Sequence, residues 1–142
     1  SGDFIAGPLS GGDVRIVNSG SGDITTGTIS GNEISIVMSG SGDVLTDDID
    51  ATSFKATLSG SGDLTAAGEA TTSRYVVSGS GSVFSRNFAS NSATVTTSGS
   101  GSVYLTVQSQ LDAVISGSGN IYLAGDADVN LTRTGSGRVI YL

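Results

Sequence analysis

Apolar and polar residues alternate along much of this chain, and a short motif of serine and glycine interrupts the alternation at regular intervals. The segments EISIVM at 33–38 and LDAVI at 111–115 place apolar side chains at every second position. A side-chain period of two is typical of a β-strand and puts the apolar residues on one face. No segment shows the period of an amphipathic helix, so the pattern predicts an all-β fold.

The interrupting motif is SGSG followed by a polar residue, with threonine replacing the first serine in the last copy. Seven full copies start at positions 19, 39, 59, 78, 98, 116 and 134, so successive starts lie 20, 20, 19, 20, 18 and 18 residues apart. A truncated copy, Ser1-Gly2-Asp3, opens the chain. A motif that returns at such a period indicates a solenoid, in which each repeat forms one coil and like segments stack in parallel.

These spacings predict a parallel β-helix of about seven coils, with 18–20 residues in each coil. With strands about 4.8 Å apart, the body of the solenoid would be roughly 34 Å long. We predict a right-handed winding, because left-handed β-helices usually have a six-residue period and these spacings do not all divide by six. Residues 1–142 are predicted to form a single β-helix domain, excised from a longer chain.

The same alternation, extended through the motif, predicts which of its side chains face inward. Both glycines share the parity of the buried apolar residues, whereas both serines and the final polar residue have the opposite parity. Glycine is favoured where a Cβ atom would crowd a corner, or where the backbone needs a positive φ. The sequence leaves these two explanations open, and it predicts a corner whose hydroxyls and charges face solvent.

Composition and charge exclude several classes of function. The chain contains no cysteine and no histidine, and hence no disulfide, thiolate metal site or imidazole base. Its net charge of −7 comes from residues 1–63, which hold nine acidic and two basic residues, whereas residues 64–142 hold four of each. This balance argues against nucleic acid and anionic membrane surfaces as partners. No apolar run approaches the roughly 20 residues that cross a bilayer, so we predict no direct membrane insertion.

The acidic residues of the first motif copies would stack in single file along one edge. Asp23, Asp43 and Asp63 are therefore candidates for a calcium site, because neighbouring like charges favour either full solvation or a bound cation. The alternative is a solvated ladder in which each carboxylate accepts hydrogen bonds from nearby hydroxyls or corner amides. The sequence favours the ladder, and neither a metal nor another cofactor is predicted.

A column of outward serines runs beside the acidic residues. Ser80, Ser100 and Ser118 take equivalent positions in three successive coils. Stacked hydroxyls can hydrogen-bond to one another along the solenoid axis, or they can bind saccharide hydroxyls or a partner surface. Both interpretations stay open, but no serine has a histidine or lysine in place as a base, so nucleophilic catalysis is not expected.

Phe84, Tyr104 and Tyr122 are the candidate ligand-binding aromatics. They have outward parity at the same position of three successive coils, which predicts an aromatic ladder next to the serine column. Such a ladder either stabilises the sheet through cross-strand packing or forms a contact face for a glycan or a partner subunit.

The pair Asp47-Asp48, with Asp50 close by, is the densest acidic cluster. Paired carboxylates on a β-helix suggest a polysaccharide lyase or hydrolase, in which they act as acid and base. The chain offers no histidine or nearby basic residue to bind an acidic sugar, so the sequence favours an exposed acidic loop and no enzymatic activity.

The repeat of SGSGD followed by an aliphatic residue, preceded by alternating aliphatics, resembles the putative auto-transporter adhesin, head GIN domain family. The resemblance covers essentially the whole chain. It implies a right-handed, pectin-lyase-like β-helix in the bacterial cell envelope, outer membrane or cell surface, with an adhesive role and no established catalytic residues. Ser82, Ser102, Asn120 and Arg138 depart from the pattern by replacing the aspartate.

Together these observations predict a non-catalytic, adhesin-like binding module that presents ladders of serine, aspartate and aromatic residues on a rigid rod. Its partner would be a glycan or a surface protein. The alternative is a structural spacer or self-assembling element, because the terminal coils would expose unpaired strand edges. We expect flanking sequence, a homo-oligomer or both to cover those edges.

Overall fold

The computed structural model describes residues 2–142 and contains thirteen β-strands, with no helix among the described residues. The strands are β1 Phe4–Ala6, β2 Leu9–Ser10, β3 Asp13–Asn18, β4 Ile24–Thr26, β5 Ile29–Met38, β6 Val44–Thr46, β7 Ile49–Leu58, β8 Leu64–Val77, β9 Val83–Thr97, β10 Val103–Ile115, β11 Ile121–Ala124, β12 Asp128–Arg133 and β13 Val139–Tyr141.

All strand pairs are parallel, and all thirteen strands belong to one continuous sheet. The strands that follow the motif stack in the order β1-β4-β6-β8-β9-β10-β11-β13. The strands that precede it stack beside them, and the long strands β8, β9 and β10 run through both stacks. Residues pair with those one repeat later, as Ile24 does with Val44. The predicted β-solenoid of about seven coils is therefore confirmed, while its handedness stays a prediction.

The alternation of apolar and polar residues places the core as predicted. On β5 the side chains of Ile34, Ile36 and Met38 are all buried, and each stacks in register with a buried residue of β7. An aromatic cluster lies inside the middle coils, where the Phe54 ring centroid is 4.8 Å from that of Phe88 and 5.9 Å from that of Tyr75. Burial raises the pKa of Tyr75 to about 12, so its phenol stays neutral in this core.

Close stacking of the backbone accounts for the glycines of the motif. A Cβ atom added at Gly42 would collide with the carbonyl oxygen of Gly22, and one at Gly101 with that of Gly81. Positive φ angles occur in the described residues only at Gly68 and Gly125, which lie outside the motif. Crowding, and not a left-handed backbone, is therefore the reason for glycine in this corner.

One feature of the coil was not predicted. The early coils break between the strand that follows the motif and the next one, at 27–28 between β4 and β5 and at 47–48 between β6 and β7. The turn-forming residues Ser30-Gly31-Asn32 predict a corner in mid-repeat, but this segment lies inside β5. The breaks separate the strands that follow the motif from those that precede the next copy.

Candidate binding face

The last residue of each motif forms a hydrogen-bonded column, which we call the acceptor column. The backbone N–H of Asp43 donates to Oδ1 of Asp23 at 2.8 Å, and that of Asp63 donates to Oδ1 of Asp43 at 2.8 Å. The N–H of Ser82 donates to Oδ1 of Asp63 at 2.7 Å. Each of these three aspartates therefore satisfies a backbone donor of the next coil.

The column continues through the second half of the chain, where aspartate is absent. Oγ of Ser82 accepts from the N–H of Ser102 at 3.1 Å, and Oγ of Ser102 accepts from the N–H of Asn120 at 3.2 Å. Oδ1 of Asn120 accepts from the N–H of Arg138 at 2.9 Å. Aspartate, serine and asparagine all carry an oxygen acceptor on a short side chain, so the departures from aspartate preserve the interaction. The serine hydroxyl is one bond closer to the backbone, and its hydrogen bonds are the longer ones. Arg138, the last member, offers no acceptor.

These bonds bear on the calcium hypothesis for Asp23, Asp43 and Asp63. One oxygen of each carboxylate already accepts a backbone hydrogen bond, and the three side chains follow one another in single file. Residues 2–142 contain no group of three or more acidic side chains arranged to hold a metal ion. The geometry therefore supports the hydrogen-bonded ladder.

We expect Asp43→Ala to lower the free energy of unfolding by about 1 kcal/mol, because the N–H of Asp63 loses its acceptor. Asp43→Asn should cost less than about 0.5 kcal/mol, because asparagine supplies the same acceptor, as Asn120 does for Arg138. Denaturant titration of both variants measures the difference. Asp48→Ala, at an exposed corner, is the matched control for removing a carboxylate. If Asp43→Ala and Asp43→Asn lowered the free energy of unfolding equally, the loss would be due to the removed charge and not to the lost hydrogen-bond acceptor.

The two serines of the motif differ in their contacts. The first serine reaches back to the preceding coil, as where Oγ of Ser59 donates to the carbonyl oxygen of Met38 at 3.4 Å. Ser80, Ser100 and Ser118 are second serines; their side chains are exposed, and their hydroxyls have no hydrogen-bond partner within the described residues. These three hydroxyls are therefore free to bind an external partner.

Phe84, Tyr104 and Tyr122 lie in register on β9, β10 and β11 and stack along the solenoid axis. The ring centroids of Phe84 and Tyr104 are 5.2 Å apart with an interplanar angle of 19°, and those of Tyr104 and Tyr122 are 4.3 Å apart at 4°. Partial desolvation and the adjacent phenol of Tyr122 raise the pKa of Tyr104. The rings cover one another's faces and present their edges to solvent.

The aromatic ladder is one part of a longer outward column, which we call the stripe. The strand register pairs one residue of each coil with the next along this column, so the stripe runs to both ends of the rod. The stripe comprises Ile5, Thr25, Leu45, Thr65, Phe84, Tyr104, Tyr122 and Ile140. Ile5 is 81% exposed and Leu45 is 49% exposed. Sequence analysis missed these aliphatic members, although the same outward parity could have identified them.

The acidic pair Asp47-Asp48 lies at the exposed break between β6 and β7. Only its backbone is engaged: the N–H of Asp47 donates to the carbonyl of Thr26 at 3.2 Å, and the carbonyl of Asp48 accepts from the N–H of Ile29 at 2.7 Å. With both carboxylates in open solvent, the pair lacks the environment that separates an acid from a base.

The family model described as putative auto-transporter adhesin, head GIN domain, matches residues 8–127 of this chain. A comparison with curated protein sequences finds no significant match. The described residues include no helix long and apolar enough to cross a membrane.

Solved structures share the fold. A putative lipid binding protein from Parabacteroides distasonis ATCC 8503 superposes with a TM-score of 0.89 at 26% identity, over 100% of this chain and 58% of that one. A putative adhesin from Bacteroides fragilis NCTC 9343 has a TM-score of 0.71 at 14% identity, over 100% of this chain and 93% of that one. A putative adhesin from Parabacteroides distasonis ATCC 8503 has a TM-score of 0.68 at 23% identity, over 96% and 63%.

Proposed function

Because the chain belongs to the putative auto-transporter adhesin, head GIN domain family, we propose that it is a non-catalytic binding module of the bacterial cell surface or envelope. The stripe and the second serines beside it form its contact face. The observation that carries this proposal is the outward stack of Phe84, Tyr104 and Tyr122, in which Phe84 is exposed and the two tyrosines are half-buried, beside serine hydroxyls that have no partner in the described residues. Aromatic residues are enriched where protein surfaces meet.

The orientation of the rings favours a protein partner over a glycan. A sugar ring recognised by aromatic residues packs on a ring face, but the faces of Tyr104 and Tyr122 are parallel to within 4° and cover each other. Ring edges beside aliphatic side chains suit a flat, mixed apolar surface of another protein. The hydroxyls of Ser80, Ser100 and Ser118 would add hydrogen bonds at the rim of that contact.

Two other functions receive less support. A polysaccharide lyase or hydrolase would need its acid and base held in distinct environments, and the carboxylates of Asp47 and Asp48 are both exposed. A spacer needs no outward aromatic column, whereas this rod carries one along a single face.

Binding of the isolated chain to a glycan array and to a panel of immobilised extracellular proteins, with the chain itself included, tests the proposal. We expect binding to at least one protein surface, and Tyr104→Ser/Tyr122→Ser should weaken it by at least about tenfold because it removes the central rings. Val17→Ser is the control, because Val17 is 50% exposed on β3, away from the stripe. Absence of binding to every surface, or equal losses in the two variants, would contradict the proposal.

A further inference from the structure

We infer that the protein partner of the stripe is a second copy of this chain, bound face to face with the two rods antiparallel. The inference rests on the proposed function, since it names the partner of the same contact face. Antiparallel pairing about a two-fold axis places the first coil of one copy opposite the last coil of the other. Charge and side-chain size both favour this orientation over the parallel one.

The acceptor column supplies the charge argument. In an antiparallel pair this column faces its own copy in reverse order, so Asp63 faces Ser82 and Asp43 faces Ser102 of the second molecule. At the two ends Asp3 faces Arg138, an opposite charge. A parallel pair would instead bring the acidic N-terminal half of one copy against that of the other, since residues 1–63 hold nine acidic and two basic residues, and like charges across an interface are strongly unfavourable. The antiparallel arrangement avoids this repulsion, because it sets the acidic half of each copy against the neutral half of the other.

The stripe supplies the size argument. In its C-terminal half the large side chains of Phe84, Tyr104 and Tyr122 protrude from the surface, so this half is raised. Its N-terminal half carries smaller side chains, among them Thr65 and Leu45. Antiparallel pairing sets Phe84 against Thr65 and Tyr104 against Leu45, so the raised half of each copy meets the lower half of the other. Parallel pairing would set the ring-bearing coils of the two copies against each other and leave a gap between the threonine-bearing coils.

The strands that precede the motif offer a less suitable face. Their central outward column runs Arg15, Ser35, Lys55, Arg74, Thr94, Asp112, Asn130. An antiparallel pair through that column would set Arg74 against its own symmetry copy at the centre, and would oppose Asp13 to Asp128 in the neighbouring column. The distribution of charge therefore selects the stripe.

The area available predicts a weak association. Three outward columns across, and the seven spacings between the eight stacked residues of the stripe, give a face of about 34 by 13 Å, which would bury on the order of 900 Å² in total. Stable interfaces usually bury about 1,200 Å² or more. We expect a dissociation constant on the order of 10 to 100 μM, so dimers would form where many copies are concentrated on a surface.

Charge substitutions in the acceptor column test the inference without disturbing the fold. Ser82→Asp/Ser102→Asp keeps an acceptor for each following N–H, as Asp63 shows, but sets new carboxylates against Asp63 and Asp43 of the second copy. Sedimentation equilibrium across concentrations of about 10 to 100 μM should show at least about tenfold weaker dimerisation than for the unchanged chain. Circular dichroism verifies that the fold is intact.

The matched rescue adds Asp43→Asn and Asp63→Asn to the same chain, which restores the original net charge and retains every acceptor. We expect dimerisation to return to within about threefold of the original value, because each new carboxylate now faces an amide. A monomer at all concentrations, an unaffected Ser82→Asp/Ser102→Asp variant, or a folded rescue variant that stays monomeric would each overturn the inference. A chain that binds other proteins through Tyr104 but stays monomeric refutes the inference alone and leaves the proposed function standing.

Discussion

Gly60→Ala should lower the free energy of unfolding by at least about 3 kcal/mol, or prevent folding, because the new Cβ has no space between two coils. It would collide with the carbonyl oxygen of Gly40 and come within 2.8 Å of the carbonyl carbon of Ser39. These are backbone atoms, so no side-chain rotation can relieve the collision. Relief requires the two coils to separate, which breaks the bond from the N–H of Ser61 to the carbonyl of Gly40. Denaturant-induced unfolding measures the loss.

Gly20→Ala is the matched control, because Gly20 holds the same motif position in the first full copy. A Cβ atom there meets nothing closer than the backbone nitrogen of Gly22, at 4.0 Å. We expect Gly20→Ala to change the free energy of unfolding by less than about 1 kcal/mol, because the alanine side chain fits at this position and alanine also restricts the unfolded chain. A similar loss for Gly20→Ala and Gly60→Ala would show that the motif needs glycine for its backbone conformation and not for close stacking.

Phe54→Ala should cost about 3 to 5 kcal/mol of unfolding free energy, because it empties the centre of the core. Phe54 is 1% exposed and packs against the rings of both Phe88 and Tyr75, so the cavity would lie between three successive coils. In a solenoid each coil contacts only its neighbours, so a defect in the middle weakens the coupling between the two halves of the rod. Thermal and denaturant unfolding measure the loss and show whether the transition stays cooperative.

Phe84→Ala removes the same side chain from the outer surface and provides the control. Phe84 is 41% exposed and contacts Tyr104 along the stripe, so we expect a loss of about 1 kcal/mol or less. If Phe84→Ala were as destabilising as Phe54→Ala, the outward column would be part of the stabilising core and a poor candidate for a contact face.

Much of the fold could be predicted because the relevant signals are local. Alternation with a period of two places Ile34 and Ile36 inside, and the motif spacing aligns Phe84 with Tyr104. Solenoid stacking then converts positions along the sequence into columns on the surface. The contact face was accordingly identified in part from the sequence, and the aliphatic residues Leu45 and Ile5 extend it by the same rule.

The role of the last motif residue could not be predicted in the same way. Asp63 and Ser82 differ in charge, so from the sequence the replacement of aspartate by serine is interpreted as the loss of a carboxylate. In the structure the two side chains have the same role, since each accepts a hydrogen bond from the backbone N–H of the residue that follows it in the column. That equivalence depends on the distance between adjacent coils, which no local pattern contains.

The sequence alone determined the length of each coil, the register between coils and the side of the sheet on which each residue lies. These properties follow from a side-chain period of two and a motif spacing of 18–20 residues. Only the tertiary structure decided why the motif needs glycine, which serine hydroxyls stay free, and how far the stripe extends. Those outcomes depend on atoms one repeat apart in sequence that stacking brings into contact, and their separation is set by the packing of one coil on the next.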